Sequence, residues 1–469
     1  MQIDEIEKQA ILQTLAELVG VRSVSDSDAA QPGAPFGPEA ARGLAFVAKA
    51  AGELGMTVRE FDGYAIDATL GEGLHLVGAL CHADVVPEGR GWDTDPFVLT
   101  QKGGKLYGRG ASDDKGPLVA TLFAMARLSR KGAIPQGCRL RLIVGSDEEV
   151  GWNCIAHYLE CADELPEYSI VPDSNFPLIN CEKGLLDFDL TFGGEESAGA
   201  PVRLVGLDCR GSRNVVPDAA GCLLECSAPD DVIARLSTVA GFEARATDGS
   251  HVEMLAHGHS AHAMTPEKGE NALGKLFSAL AGLGRDFSHA AFVQRYVESL
   301  GAGTGGEGCG LAMSDEASGG LTLNVGAAEL EPDGSVRLEC NLRYPATAPA
   351  REVLHRTVAA FSRLGFTYRQ VDHLPAVNVD EQSDFVQMLM DVYRKHTGDH
   401  DSGPLAIGGA TYARALPNAV GFGPLFPWEE ELAHEPNEYI ELDDLLKLVD
   451  MYEDALAGML GMCMRGGAR

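Results

Sequence analysis

Four groups of imidazole or carboxylate residues each follow a short run with the composition of a β-strand. Leu76–Leu80 leads into His82-Ala83-Asp84, Leu106–Gly110 into Asp113-Asp114, Leu140–Gly145 into Asp147-Glu148-Glu149, and Tyr168–Val171 into Pro172-Asp173. Ligands in open α/β sheets gather at the carboxyl ends of strands, so these groups are expected to converge. Converging carboxylates and imidazoles need cations to offset their charge, and the set points to a metal site.

As a site for two ions, one carboxylate bridges them, and each ion gains one imidazole and one further carboxylate. The candidate ligands are His82, Asp113, Glu149, Asp173 and His434. Two divalent ions against the three carboxylates leave a charge of about +1, which favours a bound hydroxide; ions about 3.5–4 Å apart lower the pKa of its parent water to roughly 7. Asp84, two residues from His82 on the same side of an extended segment, is expected to accept the other ring N–H of His82 and fix its tautomer. Glu148 and Glu149 point apart on an extended chain. Glu149 then ligates, while Glu148 faces the water, takes its proton and passes it to a leaving amine. Zinc, cobalt and manganese all suit such ligands. Taken singly, Asp113-Asp114 reads as a helix cap and Glu148-Glu149 as a surface pair before a helix. Four such groups at successive strand ends favour the site.

The chain that must position these residues has 469 residues, too many for one ordinary core, and two domains are expected. Hydrophobic residues make up 45%, as in folded globular proteins. The net charge of −32 speaks against nucleic acid and anionic membranes as partners. The acidic N-terminus does not read as a signal peptide, and no apolar run is long enough to span a bilayer. The 11 cysteines are scattered without a Cys-x-x-Cys pair, which predicts reduced thiols and a cytoplasmic location.

Strands alternate with helices up to about residue 184, with helices expected over Ile3–Val19, Glu39–Leu54, Gly116–Lys131 and Val150–Glu160. The pattern predicts an α/β catalytic domain with a mostly parallel sheet and flanking helices. From 185 to 384 half-buried strands mix with helices over Asp230–Ala240, Glu270–Gly282, Ser288–Leu300 and Ala350–Leu364, with a hairpin tip at Gly193–Gly199. This predicts an inserted α+β domain. Asp384–Thr397, Leu405–Ile407 and Leu442–Leu460 return to the first texture, so residues 1–184 and 385–469 are expected to form one domain.

The segments His82-x-Asp84-Val85-Val86-Pro87-x-Gly89, Gly108-Arg109-Gly110-x-x-Asp113-Asp114-Lys115-Gly116, Glu148-Glu149 and Pro172-Asp173 resemble those of the dinuclear-zinc peptidases. That family includes carboxypeptidase G, aminoacylase, succinyl-diaminopimelate desuccinylase and carnosinase-like dipeptidases. The likeness is strongest to the bacterial cytosolic dipeptidase V type. It implies that Asp113 bridges the ions across a cis peptide bond to Asp114, that His82 and Asp173 complete one ion, and that Glu149 and His434 complete the other. It also implies that the inserted domain is a lid. In the lid, His262 of Gly258-His259-Ser260-Ala261-His262 would polarise the scissile carbonyl, Asn214 would help form the oxyanion site, and Arg343 would bind the substrate's terminal carboxylate. Gly408-Gly409-Ala410-Thr411 resembles a loop whose backbone N–H groups add donors to that carboxylate. The implied enzyme is a monomeric zinc metallodipeptidase acting on small unblocked peptides by a metal-bridging hydroxide; an N-acyl-amino-acid deacylase or desuccinylase is the alternative.

Overall fold

A computed structural model describes residues 3–194, 199–236 and 241–466. The chain divides into two compact units, one made of Met1–Asn180, Val379–Leu405 and Thr411–Arg469, the other of Cys181–Asn378 and Ala406–Ala410. The sequence reading sets the second crossing near residue 384 and leaves 406–410 in the first unit. Backbone pairing accounts for the difference. Val377 and Asn378 pair antiparallel with Glu182 and Cys181, and Lys183 N–H donates to the Ile407 carbonyl, so these short pieces belong to the second unit.

The first unit holds a sheet in the order Thr57–Phe61, Ala65–Gly71, Gly137–Gly145, Gly73–His82, Tyr168–Val171, Ala419–Gly421, with Ile179 paired to Gly421 at its edge. Pairing from Gly137–Gly145 through Ala419–Gly421 is parallel, and the outer strands are antiparallel. Side chains of the central strands alternate between two cores. Val77, Ala79 and Cys81 enter the larger one with the helices Glu5–Val19, Lys115–Arg130, Asp384–Thr397 and Leu442–Gly466; Leu80 and Ile143 enter the other with Phe61, Tyr158 and Tyr412. A central strand covered on both faces reads as a continuous apolar run, and that is why its strands were visible in the sequence. Helix Asp384–Thr397 shows its bounds equally clearly. Ser383 Oγ accepts from Val386 N–H at its start, and Gly398 at φ 72° closes its end.

Two expected elements differ. The helix predicted from Val150 begins at Asn153, because residues 147–152 form a turn around Asp147. The Asp147 carbonyl accepts from Gly151 and Trp152, and its carboxylate accepts from the Asn153 backbone and side chain. The strand before Asp113 shortens to Lys105–Tyr107 and pairs with Thr100–Lys102 and Tyr439–Glu441 in a separate small sheet. Asp113 is thus carried by a loop and not by a strand end of the main sheet.

The second unit is built on an eight-stranded antiparallel sheet in the order Phe242–Asp248, His251–His257, Ala219–Cys226, Val202–Cys209, Thr322–Leu330, Val336–Tyr344, Gly184–Phe192, Thr367–Leu374. Leu186, Phe188, Leu190, Leu338, Cys340 and Leu342 pack into one core with Leu276, Phe277, Tyr296 and Phe361 of the helices. The intervening positions, Asp187, Asp189, Glu339, Asn341 and Arg343, lie on the opposite, polar face, as the two-residue strand repeat requires. The helix expected over Asp230–Ala240 runs Pro229–Leu236, and its predicted end at 237–240 lies outside the described residues, as do 195–198 of the expected hairpin tip.

Candidate metal centre

His82 ends its strand, fully buried, with Nε2 3.0 Å from Asp113 Oδ1 and 3.7 Å from Asp173 Oδ2. His434 approaches the other oxygen of Asp113, with Nε2 3.2 Å from Oδ2 and 2.8 Å from Glu149 Oε2. The donors fall into two triads, His82/Asp113/Asp173 and Asp113/Glu149/His434, each with ligand atoms within 4.8 Å of one another, and Asp113 belongs to both. The Asp113–Asp114 peptide bond is cis.

Neighbouring backbone fixes this geometry. His82 Nδ1 lies 3.0 Å from the main-chain carbonyl of Asp84 and 3.5 Å from its carboxylate. The nearer partner is therefore the carbonyl, where the sequence reading names the side chain. The buried Asp84 carboxylate instead accepts from the backbone N–H groups of Glu148 at 3.3 Å and Glu149 at 3.2 Å, anchoring the turn that presents both acids. Trp152 Nε1 donates to Glu148 Oε1 at 3.1 Å.

The most consequential residue missed in the sequence is Glu438. Fully buried, it accepts from the backbone N–H groups of Gly110, Ser112 and Asp113 and pairs with Arg109 at 2.8 Å. A carboxylate thus grips the loop that carries Asp113. The available signal was Pro436-Asn437 after His434. This is turn composition, and His434 and Asn437 both take positive φ, 69° and 64°. Tyr412 was also missed; its hydroxyl meets Cys154 Sγ at 2.8 Å, and its ring packs edge-on against His82.

The electrostatics fit a cation-binding centre. Burial, reinforced by the Asp113 charge, pushes Asp173 up to about 7. Burial raises Glu149 against the bond from His434, and it raises Glu148 well above the carboxylate range, with Asp173 adding to it. Burial opposes a charged His82, but the Asp113 and Asp84 carboxylates outweigh it and hold the imidazole well above its ordinary value. His434 is pushed up to about 10 by its bond to Asp113 and then by Glu149. Crowded acids held above their ordinary values, around an Asp113 that His434 and His82 hold below its own against burial, are what divalent cations relieve. The nitrogen and oxygen donors fit a zinc-class ion.

A model of the peptidase family M20/M25/M40 matches residues 79–458. The chain belongs to that family. Over 455 residues this M20 chain is 34% identical to the Bacillus subtilis (strain 168) protein named "Putative dipeptidase YtjP", covering 96% of this chain and 97% of that one. It is 33% identical over 453 residues to "Putative dipeptidase SSP1012" of Staphylococcus saprophyticus, covering 95% and 96%. Among solved structures, human carnosine dipeptidase 1 matches with a TM-score of 0.56 at 17% identity over 97% of both chains. Aminoacylhistidine dipeptidase from Vibrio alginolyticus matches with a TM-score of 0.58 at 18% identity over 96% of both. The two structural likenesses show a shared M20 fold.

The remaining sequence-predicted residues fall in the second unit, except Thr411. Residues 215 and 262 form an antiparallel bridge, and Ala263 N–H donates to the Asn214 carbonyl, so His262 and Asn214 sit on adjacent segments. His262 Nδ1 accepts from Met264 N–H at 3.2 Å, and burial, then the Arg343 charge, lowers its pKa. Arg343 donates to Asn341 Oδ1 at 3.0 Å and to the Gly408 carbonyl. Asn214 and Arg343 help line a cleft of about 440 Å³ with Asp187, Arg213 and Asn341. Gly408 and Gly409 belong to this unit, whereas Thr411 belongs to the first, where its hydroxyl accepts from Ala413 N–H at 3.2 Å. No helix among the described residues is long and apolar enough to cross a membrane.

Proposed function

We propose that this M20 chain is a metallodipeptidase that hydrolyses the peptide bond of small unblocked dipeptides, working as a cytoplasmic monomer. The observation that carries the reading is Asp113, whose two carboxylate oxygens face two different histidine–carboxylate pairs. The dipeptidase names of its relatives agree with it. His82 and Asp173 would hold one divalent ion, Glu149 and His434 the other, with Asp113 shared. Zinc is the first choice, and cobalt or manganese suit the same donors. When bound, such ions supply a Lewis acid for the carbonyl and a water acidic enough to attack at neutral pH.

Glu148 is the general base. It takes a proton from the attacking water and returns it to the leaving nitrogen, a task suited to a carboxyl whose proton affinity burial has raised. Trp152 holds one of its oxygens, and Asp84 fixes its backbone. In the second unit, His262 and Asn214 are assigned to the carbonyl oxygen. Arg343, with the backbone N–H groups of Gly408, Gly409 and Thr411, is assigned to the terminal carboxylate. An inserted unit with its own sheet and core supports a monomer.

The test pairs metal analysis with a substrate panel. Dipeptides should turn over and N-acetyl or N-succinyl amino acids should not; the reverse result selects the deacylase reading. Glu148→Ala should keep its metal and lose turnover, whereas Glu149→Ala should lose metal. Full turnover in Glu148→Ala removes that residue from the mechanism.

A further inference from the structure

At the opposite end of the parallel strands from His82, the first unit gathers a second set of unlike donors. His75 lies near the start of strand Gly73–His82, Glu167 immediately precedes Tyr168–Val171, and Cys463 sits near the end of helix Leu442–Gly466. His75 Nδ1 is 2.9 Å from Glu167 Oε1, and one ligand atom from each of the three residues lies within 4.8 Å of the others. Seven residues of strand separate His75 from His82, about 23 Å at 3.3 Å per residue, so none of these groups serves the centre described above.

The placement follows from the fold. His75 shares its strand face with Val77, Ala79 and Cys81, the face covered by the helix that carries Cys463. Cys463 is buried in that core, while His75 and Glu167 are partly open to solvent. The cluster therefore has a sulfur floor and an accessible mouth. An exposed His–Glu pair alone contributes little to stability and does not require a thiol beneath it. One imidazole, one carboxylate and one thiol are the ligand types of zinc. Tetrahedral corners about 2.0–2.3 Å from an ion lie about 3.3–3.8 Å apart, so side-chain rotations of about 1 Å would close the three donors onto it.

We propose that His75, Glu167 and Cys463 form a second binding site for a zinc-class divalent ion, with water as fourth ligand, tying the last helix to the sheet. Binding displaces the thiol proton to solvent and forms a metal–thiolate bond, with no redox step.

Cobalt(II) tests this on the intact 469-residue chain. The centre around Asp113 offers only nitrogen and oxygen donors, so a thiolate-to-cobalt charge-transfer band in the near ultraviolet must come from a cysteine elsewhere. The band and one extra equivalent of cobalt should appear in the wild type and in Cys161→Ser, which removes the exposed thiol. Both should be lost in Cys463→Ser, and His75→Ala should bind that equivalent at least tenfold more weakly, with peptide turnover unchanged in each. A wild type without the band, or Cys463→Ser that retains it, overturns the proposal. If Cys463→Ser fails to fold, the partly exposed His75 decides: unaltered cobalt affinity in His75→Ala overturns it.

Discussion

Arg109 and Glu438, far apart in sequence, form a buried ion pair at 2.8 Å, and the same carboxylate accepts from three backbone N–H groups of the Asp113 loop. Removing Glu438 leaves a buried guanidinium without its charge partner, a loss of about 3–5 kcal/mol. Glu438→Ala should show a lower denaturant midpoint and, because Asp113 loses its support, weaker metal retention on dialysis. Wild-type values for both would mean that the loop holds its shape without the carboxylate.

Trp152 gives a handle on Glu148 without being a candidate metal donor itself. Its indole N–H bonds Glu148 Oε1 at 3.1 Å. A hydrogen bond to a charged group is worth about 1.5–3 kcal/mol, so Trp152→Phe should lower kcat by roughly 10- to 100-fold. Metal content should stay at the wild-type level, and KM should move much less than kcat. Loss of metal in this variant would assign Trp152 to scaffolding.

Metal uptake should release protons. His434, pushed up to about 10 by Asp113 and Glu149, is protonated at neutral pH in the metal-free protein and must become neutral to ligate. Affinity should therefore rise with pH, by about tenfold per unit for each proton displaced, and stripping by chelator should be easier at pH 6 than at pH 8. Calorimetry in buffers of different ionisation enthalpy reads the protons directly. A pH-independent affinity would contradict the prediction.

Acid should selectively weaken the contact between helices Asp384–Thr397 and Leu442–Gly466. Asp454 lies 2.6 Å from both His396 and Lys395, and its pKa falls to about 2, chiefly through the His396 bond. A carboxylate whose folded pKa lies below its unfolded value of about 3.9 stabilises fully above that pH. Its contribution disappears as pH falls through about 2. Asp454→Asn should be less stable than wild type at pH 7, with the difference shrinking toward zero near pH 2. A constant difference across urea titrations at both pH values would show that the pair contributes nothing through charge.

His82, Asp113, Glu149, Asp173 and His434 were legible as candidates only as a set, because residue type marks imidazoles and carboxylates but each alone also reads as a cap or a surface charge; the fold brings their ligand atoms together. The covered central strands and the Ser383-capped helix were legible from local residue pattern. Glu438 was not, because its role consists of accepting backbone N–H groups from a loop 325 residues earlier, and backbone donors leave no mark on composition. The Asp84 carboxylate was read as a partner of His82, yet its bonds to the Glu148 and Glu149 backbone depend on how two separate turns meet. Strands Phe242–Asp248 and Thr367–Leu374 were missed because most of their side chains meet solvent and give no apolar alternation.

The clasp of Glu438 on the Asp113 loop also sets a timetable. Glu438 is synthesised 325 residues after Asp113, and the helix Leu442–Gly466 that follows it packs directly against Lys115–Arg130. A ribosome-bound chain can build its central strands early, yet it carries an unfastened Asp113 until the Glu438 segment has emerged. A product cut short before His434 and Glu438 would lack both one histidine of the paired triads and the clasp on the loop of their shared carboxylate.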